Sequence, residues 1–178
     1  MKFGIHNPSW VYGPDPAEAF EAVKAKAQWA ENHGFVWFSV MDHLIQISGV
    51  GAPDEPFMEG WTVLSALAAV TSCIRLATLA TSVGYRNPAH LAMIAAGVDL
   101  ISRGRLTLGI GAGYSETEYR HMVGNSRRGQ RCAFGRWRRL SGLSSRCGRR
   151  SEQLFTADIF MSRTRSSSRS RSRSRDRR

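Results

Sequence analysis

From residue 120 to the end of this 178-residue chain there is not one lysine. That stretch holds 18 arginines against 3 acidic residues, whereas residues 1–119 hold 7 basic and 11 acidic residues. A mildly acidic segment therefore precedes a strongly basic one, and the overall charge of +11 describes neither. Such asymmetry points either to a nucleic-acid-binding tail or to a segment of separate origin. Cysteine is scarce too. Cys73, Cys132 and Cys147 form no CxxC pair, so neither a zinc site nor a disulfide framework is indicated, and a reducing, cytoplasmic compartment fits best. The most apolar stretch, Trp61–Val83, is interrupted by Arg75 and several Ser and Thr, so no membrane span is expected. The opening MKFGIHNPSW has no apolar core and no cleavage-site pattern, so it does not read as a signal peptide.

What is present, up to about Tyr119, is an ordered alternation. Phe3–His6 is a short apolar strand candidate, ended by Pro8 and YGPDP. Asp15, Pro16 and Glu18 then supply an N-cap, a proline at the first helical position and a capping-box acid. The spacing of Phe20, Val23, Ala27 and Ala30 predicts a helix from Pro16 to about His33, stopped by Gly34. FVWFSVM (35–41) reads as a buried strand, and 44–59, with its Gly and Pro clusters, as a loop. Trp61 to Thr71 has helical spacing, and RLATLATSV (75–83) reads as one continuous third strand. Asn87 and Pro88 open another helix, Gly104 ends it, and RLTLGI (105–110) is a fourth strand running into GIGAGY. The order β-α-β-α-β-α-β argues for an α/β fold with a parallel sheet. Periodicity alone leaves a doubly wound sheet and part of a (β/α)8 barrel both open.

After Arg120 the periodicity fails, and the chain ends in the Arg/Ser repeat MSRTRSSSRSRSRSRDRR. Residues 120–178 are expected to form a basic, low-complexity, disordered tail. Eighteen arginines could bind nucleic acid non-specifically, although no folded RNA-binding module with stacking aromatics accompanies them. The other reading is a frameshift shortly after Tyr119, since GC-rich coding sequence read out of frame yields this Arg, Ser and Gly composition. Translation of the other two reading frames tests it.

Three motifs occur together in residues 1–120: SVMDHL, RLATLATSVGYRNPAHLA and DLISRGRLTLGIGAGYSETEY. In order and spacing they resemble the luciferase-like monooxygenase superfamily, particularly its branch dependent on the deazaflavin coenzyme F420. The resemblance implies a TIM-like (β/α)8 barrel, of which this segment would form about four β/α units. It also implies FMN or F420 bound at the C-terminal mouth of the barrel, a small-molecule substrate and hydride transfer at the ring. Active sites of barrels lie on the loops that follow the strands.

The residues at those places are His6, Asp42, His43, Thr81, Ser82, Gly111, Gly113 and Tyr114. The resemblance marks His43 as the catalytic candidate for proton transfer, with Asp42 beside the ring. It places Thr81, Ser82, Gly111, Gly113 and Tyr114 among the cofactor contacts and His6 towards the substrate. It further implies a non-prolyl cis peptide near Thr81 and Ser82, with Leu79–Ala80 as another position for it. Tyr114 stands where deazaflavin sugar dehydrogenases carry Glu, which argues against an acid mechanism of that subtype. Each residue also has a plainer role: a loop-bonding histidine, a strand-end cap, a tight turn. GIGAGY does not complete G-x-G-x-x-G, because Tyr114 stands at the last position. His33 and His90 are expected on the surface or in packing, Trp29, Trp37 and Trp61 in the core or an interface, and Cys73 is expected to be inert. Half a barrel exposes sheet edges, so poor solubility, self-association and weak or absent flavin binding are expected of this chain alone.

Overall fold

The computed structural model describes residues 1–10, 15–47, 49–52 and 54–123, and the backbone of a strand at 158–161. Strands β1 (Gly4–Asn7), β2 (Trp37–Val40), β3 (Arg75–Thr78), β4 (Thr81–Ser82), β5 (Leu106–Gly111) and β6 (Asp158–Met161) form one sheet. All of its pairings are parallel: β1 with β2, β2 with β3, β3 and β4 with β5, and β5 with β6. From β1 to β2 to β3 the chain returns each time to the adjacent strand, and after β4, which continues beyond β3 along β5, α3 leads back to β5. Right-handed crossovers then place the connecting helices on one side of the sheet, as in a barrel segment and unlike a doubly wound sheet.

Helix α1 (Ala19–Asn32) follows a 3-10 turn, Pro16–Glu18, which the Asp15 carboxylate caps by accepting from the Ala17 amide at 2.8 Å. Helix α2 (Gly60–Val70) is capped by Glu59, which accepts from the Thr62 amide at 2.6 Å and the Thr62 hydroxyl at 2.8 Å. Helix α3 (Pro88–Ile101) is capped by Asn87, which accepts from the Ala89 amide at 2.9 Å. A short segment, α4 (Glu116–Glu118), runs into a π-helical turn at Tyr119–Val123.

The core lies between the sheet and these helices. Val23, Ala27 and Ala30 of α1, Trp61, Leu64 and Leu67 of α2, and Leu91, Ala95 and Val98 of α3 are buried. They meet Phe38, Val40, Leu76, Leu106, Leu108 and Ile110 from the strands. Burial of each large apolar side chain contributes about 1.5–3 kcal/mol. Register puts His6, Ser39 and Ala77 on the opposite face, with Gly109 and Gly111 of β5 following Thr107 there. Arg105 fastens the far end of the sheet to α2. Its guanidinium donates to the carbonyls of Ser102, Ile74, Ala68 and Thr71 and to Thr71 Oγ1, all at 2.8–2.9 Å.

The structure departs from the sequence expectations at two places. The run 75–83 is two strands, β3 and β4; the cis peptide between them, at Leu79–Ala80, is one of the positions that the resemblance implies. There the Thr78 carbonyl crosses β5 where Gly109 has no side chain, and a Cβ on Gly109 would collide with it. Trp29 is half exposed and stacks on His33 at 4.2 Å instead of entering the core. Its place at the outer rim of α1 leaves His33 and Phe35 as its aromatic neighbours. Of residues 120–178 the structure describes the end of the π-helical turn and strand β6, which pairs along Thr107–Ile110 and satisfies the backbone edge that β5 would otherwise expose. The rest of that region, including Cys132 and Cys147, lies outside the described residues. Cys73 is exposed, and its hydrogen bond to Glu31 pushes the thiol pKa up, away from thiolate reactivity.

Candidate active site

The C-terminal ends of the strands carry three polar clusters that tie the loops together. Glu118, fully buried on α4, organises the first. Its Oε2 contacts His43 Nδ1 at 2.8 Å and accepts from the Tyr85 hydroxyl at 2.6 Å, and its Oε1 accepts from the Leu44 amide at 2.6 Å. One carboxylate thus joins the loop after β2, the loop after β4 and the segment after β5. Burial works against the ionised form, but the bonds from His43, Tyr85 and Leu44 outweigh it and hold the Glu118 pKa at about 2. Burial and the same carboxylate push the Tyr85 phenol far up, so it stays a neutral donor.

Arg86 organises the second cluster. It donates two parallel bonds of 2.7 Å to the Asp42 carboxylate and a third to Glu59. Burial is the largest influence on Asp42 and pushes its carboxyl up, against the pull of the guanidinium. Burial also disfavours the Arg86 cation, but its bonds to Asp42 and the charges of both acids more than offset this and raise its pKa. Since Glu59 also caps α2, Arg86 couples the end of β2 to the start of that helix.

The third cluster lies along β4. The Trp61 indole donates to Thr81 Oγ1 at 3.1 Å, Thr81 donates to Thr78 Oγ1 at 2.8 Å, and Thr78 donates to the Gly109 carbonyl at 3.0 Å. Next to it, Ser82 Oγ and the Tyr119 hydroxyl are 2.6 Å apart, and Tyr119 also donates to the Ala112 carbonyl at 3.2 Å. Gly113, at φ +77°, passes over this pair at a point where a Cβ would lie 2.5 Å from Ser82 Oγ.

Beside these locked clusters the same face of the sheet carries small residues at the strand ends, with Ser39 and Ala77 buried and Gly111 half-buried. His6 is exposed there, with its Nδ1 2.9 Å from Ser39 Oγ. A Cβ added to Gly111 would meet nothing closer than 3.5 Å. The Tyr114 ring is 70% exposed and meets the His43 ring edge-on at 5.4 Å. Among the described residues no group of three or more His, Cys, Asp or Glu could hold a metal ion.

The sequence pattern of the luciferase-like monooxygenase family matches residues 1–134. The chain belongs to that family. It is 36% identical over 133 residues to the pyrimidine monooxygenase RutA of Pantoea ananatis (strain LMG 20103), a match covering 68% of this chain and 35% of that protein. The crystal structure of monooxygenase RslO1 from Streptomyces bottropensis superposes with a TM-score of 0.61 at 31% identity, covering 76% of this chain and 40% of that one. An F420-dependent secondary alcohol dehydrogenase, in complex with an F420–acetone adduct, superposes with a TM-score of 0.53 at 25% identity, covering 70% and 36%. The chain spans about a third of the length of the curated relatives it matches. The fold is that of TIM-barrel luciferase-like enzymes, which decides against the doubly wound alternative. The family match also runs past Tyr119, where the sequence pattern alone places a seam.

Within this luciferase-like frame the sequence candidates separate into two groups. His6 and Tyr114 are exposed, His43 and Gly111 are part-buried at the strand ends, and Gly113 turns the chain beside them. Asp42, Thr81 and Ser82 are buried, and their side-chain oxygens hold other protein groups. Glu118, Tyr85, Arg86, Glu59 and Tyr119 were assigned no role from sequence. Glu118 and Tyr119 are the E-Y pair and Tyr85 and Arg86 begin YRNP, so the motifs that carried the resemblance were the available signal.

Proposed function

We propose that this chain forms the ring-facing part of a flavin- or deazaflavin-dependent oxidoreductase or monooxygenase acting on a small molecule. The observation that supports this reading most is the run of small residues, Ser39, Ala77 and Gly111, on one face at the C-terminal strand ends, with exposed His6 and Tyr114 and part-buried His43 at the same end. A flat heteroaromatic ring fits such a surface, because no side chain rises from Gly111 and those beside it are short. When bound, the flavin or deazaflavin supplies hydride exchange. The F420-dependent alcohol dehydrogenase with a similar fold supports the deazaflavin form of the proposal, and the monooxygenase relatives support the oxygen-using form. His43 exchanges a proton with the substrate or ring, Tyr114 covers one edge, and the buried clusters keep the loops in place.

The described residues approach the ring from one side, and Arg86, a cation at the mouth, is already engaged by two carboxylates. Binding by this chain alone is therefore weak. Titration of the full chain with FMN and with F420, followed by ring absorbance and fluorescence, tests this. Weak saturable binding that Gly111→Val removes is expected. Absence of binding at millimolar ligand, or binding indifferent to Gly111→Val, would overturn the proposal.

A second reading rests on the 18 arginines after residue 119, which would bind nucleic acid through phosphate contacts. A salt-dependent gel shift by the intact chain, lost on deleting residues 120–178, would support it.

A further inference from the structure

Glu118 is fully buried, yet it touches His43, which is part-exposed beside Tyr114 at the strand ends. We infer that Glu118 is a positioning residue: it fixes His43 as the Nδ1–H tautomer and so presents the bare Nε2 lone pair to the ligand surface. This rests on the reading of the mouth as a ring and substrate site, and it adds the direction in which His43 works.

The argument is a count of hydrogens. The Leu44 amide can only donate, and it lies 2.6 Å from Oε1. The Tyr85 hydroxyl, 2.6 Å from Oε2, is a neutral phenol whose proton points to the carboxylate. An ionised carboxylate offers acceptor sites only, so the hydrogen in the 2.8 Å contact between Oε2 and His43 Nδ1 belongs to the imidazole. The pKa of about 2 for Glu118 agrees, because the group carries no proton of its own near neutral pH. A neutral imidazole with hydrogen on Nδ1 has none on Nε2. Nε2 has no hydrogen-bond partner among the described residues, and the ring is 12% exposed beside Tyr114.

Neutral His43 is thereby set to receive a proton. A ligand O–H or N–H that loses its proton gives it to Nε2. The O–H or N–H bond breaks, an Nε2–H bond forms, and the new imidazolium keeps its contact with the Glu118 carboxylate, which balances the added charge. The ligand class is one with an ionisable O–H or N–H at the reacting end. The tautomer also limits the alternatives, since neutral His43 has no hydrogen on Nε2 to donate.

Nitrogen NMR of the ligand-free full chain, with ¹⁵N-labelled histidine, reads the tautomer directly. The His43 signals are assigned by their loss in His43→Gln. In the wild type, at a pH high enough for the ring to be neutral, Nδ1 is expected to be protonated and Nε2 bare. Glu118→Gln offers an amide that can donate to Nδ1, and Nε2–H is expected to become the major form. Tyr85→Phe removes a neighbouring donor and leaves the wild-type tautomer. A wild-type spectrum dominated by Nε2–H overturns the inference without any variant, so it stays testable even where Glu118→Gln does not fold. An unchanged tautomer in a folded Glu118→Gln also overturns it. Because no cofactor is present, a failure of FMN or F420 to bind leaves this result intact and counts against the ring-site reading alone.

Discussion

Replacing Glu118 with glutamine keeps the volume of the side chain and removes its charge, so the effect on stability comes from the clasp. Three donors converge on the native carboxylate, whereas an amide offers one acceptor oxygen and places an NH₂ against the remaining donors. The folded pKa of about 2 lies below the ordinary 4.5. A carboxylate depressed in this way contributes stability above its unfolded pKa, and that contribution is lost as pH falls towards the folded value. The shift corresponds to about 3 kcal/mol at full value.

Urea unfolding of wild type and Glu118→Gln at pH 7 and pH 3 measures the quantity as a difference. Glu31 and Glu59 are also held below the ordinary range, but both titrate in each protein and cancel. The wild type is expected to be more stable at pH 7 by about 1.5–3 kcal/mol, with roughly half of that advantage gone at pH 3. Equal stabilities at pH 7, or a gap independent of pH, would refute the reasoning.

Further outcomes follow from other contacts. Arg105→Lys replaces a planar fork that serves Ala68, Thr71, Ile74 and Ser102, and should cost about 2–3 kcal/mol in urea unfolding. Gly109→Ala puts a Cβ against the Thr78 carbonyl, so thermal unfolding should show a loss of about 3 kcal/mol or more. Tyr114→Ala removes an exposed ring whose aromatic contact is His43, so unfolding should shift by less than about 0.5 kcal/mol while FMN or F420 titration weakens.

Local chemistry was legible where it acts over a few residues. Asp15 and Asn87 cap their helices as their sequence neighbours indicate, and Val23, Ala27, Ala30 and Leu64, Leu67 fall on buried faces by spacing alone. Periodicity hides the break between Thr78 and Thr81, because LATLATS is uniformly strand-like, and it was the resemblance that named Leu79–Ala80 as a position for the cis peptide. Glu59 was read as the end of a loop because a Glu cap is less distinctive than Ser, Thr, Asp or Asn. The loop-tying pairs were hidden for a further reason: Asp42 meets Arg86 and His43 meets Glu118 across 44 and 75 residues, and no periodicity reports such separations. Sequence could mark Asp42 as polar at a strand end. It could not show that both carboxylate oxygens are already held.

The two faces of the sheet make the same point about function. On the helix side the strands present Phe38, Val40, Leu76, Leu106, Leu108 and Ile110, the composition that stabilises a buried sheet. On the other side register aligns His6, Ser39, Ala77 and the glycines 109 and 111, residues that pack little and weaken strands. Strand stability does not account for that choice. Gly109 is explained by the Thr78 carbonyl, and Ser39 in part by His6. Ala77 is buried, and a Cβ on Gly111 would meet the Ala80 methyl at 3.5 Å, so small side chains keep this face low at the strand ends. The polar clusters tie the surrounding loops at the same strand ends through partners 44 and 75 residues apart, so this end of the sheet is shaped by long-range contacts and not by strand propensity.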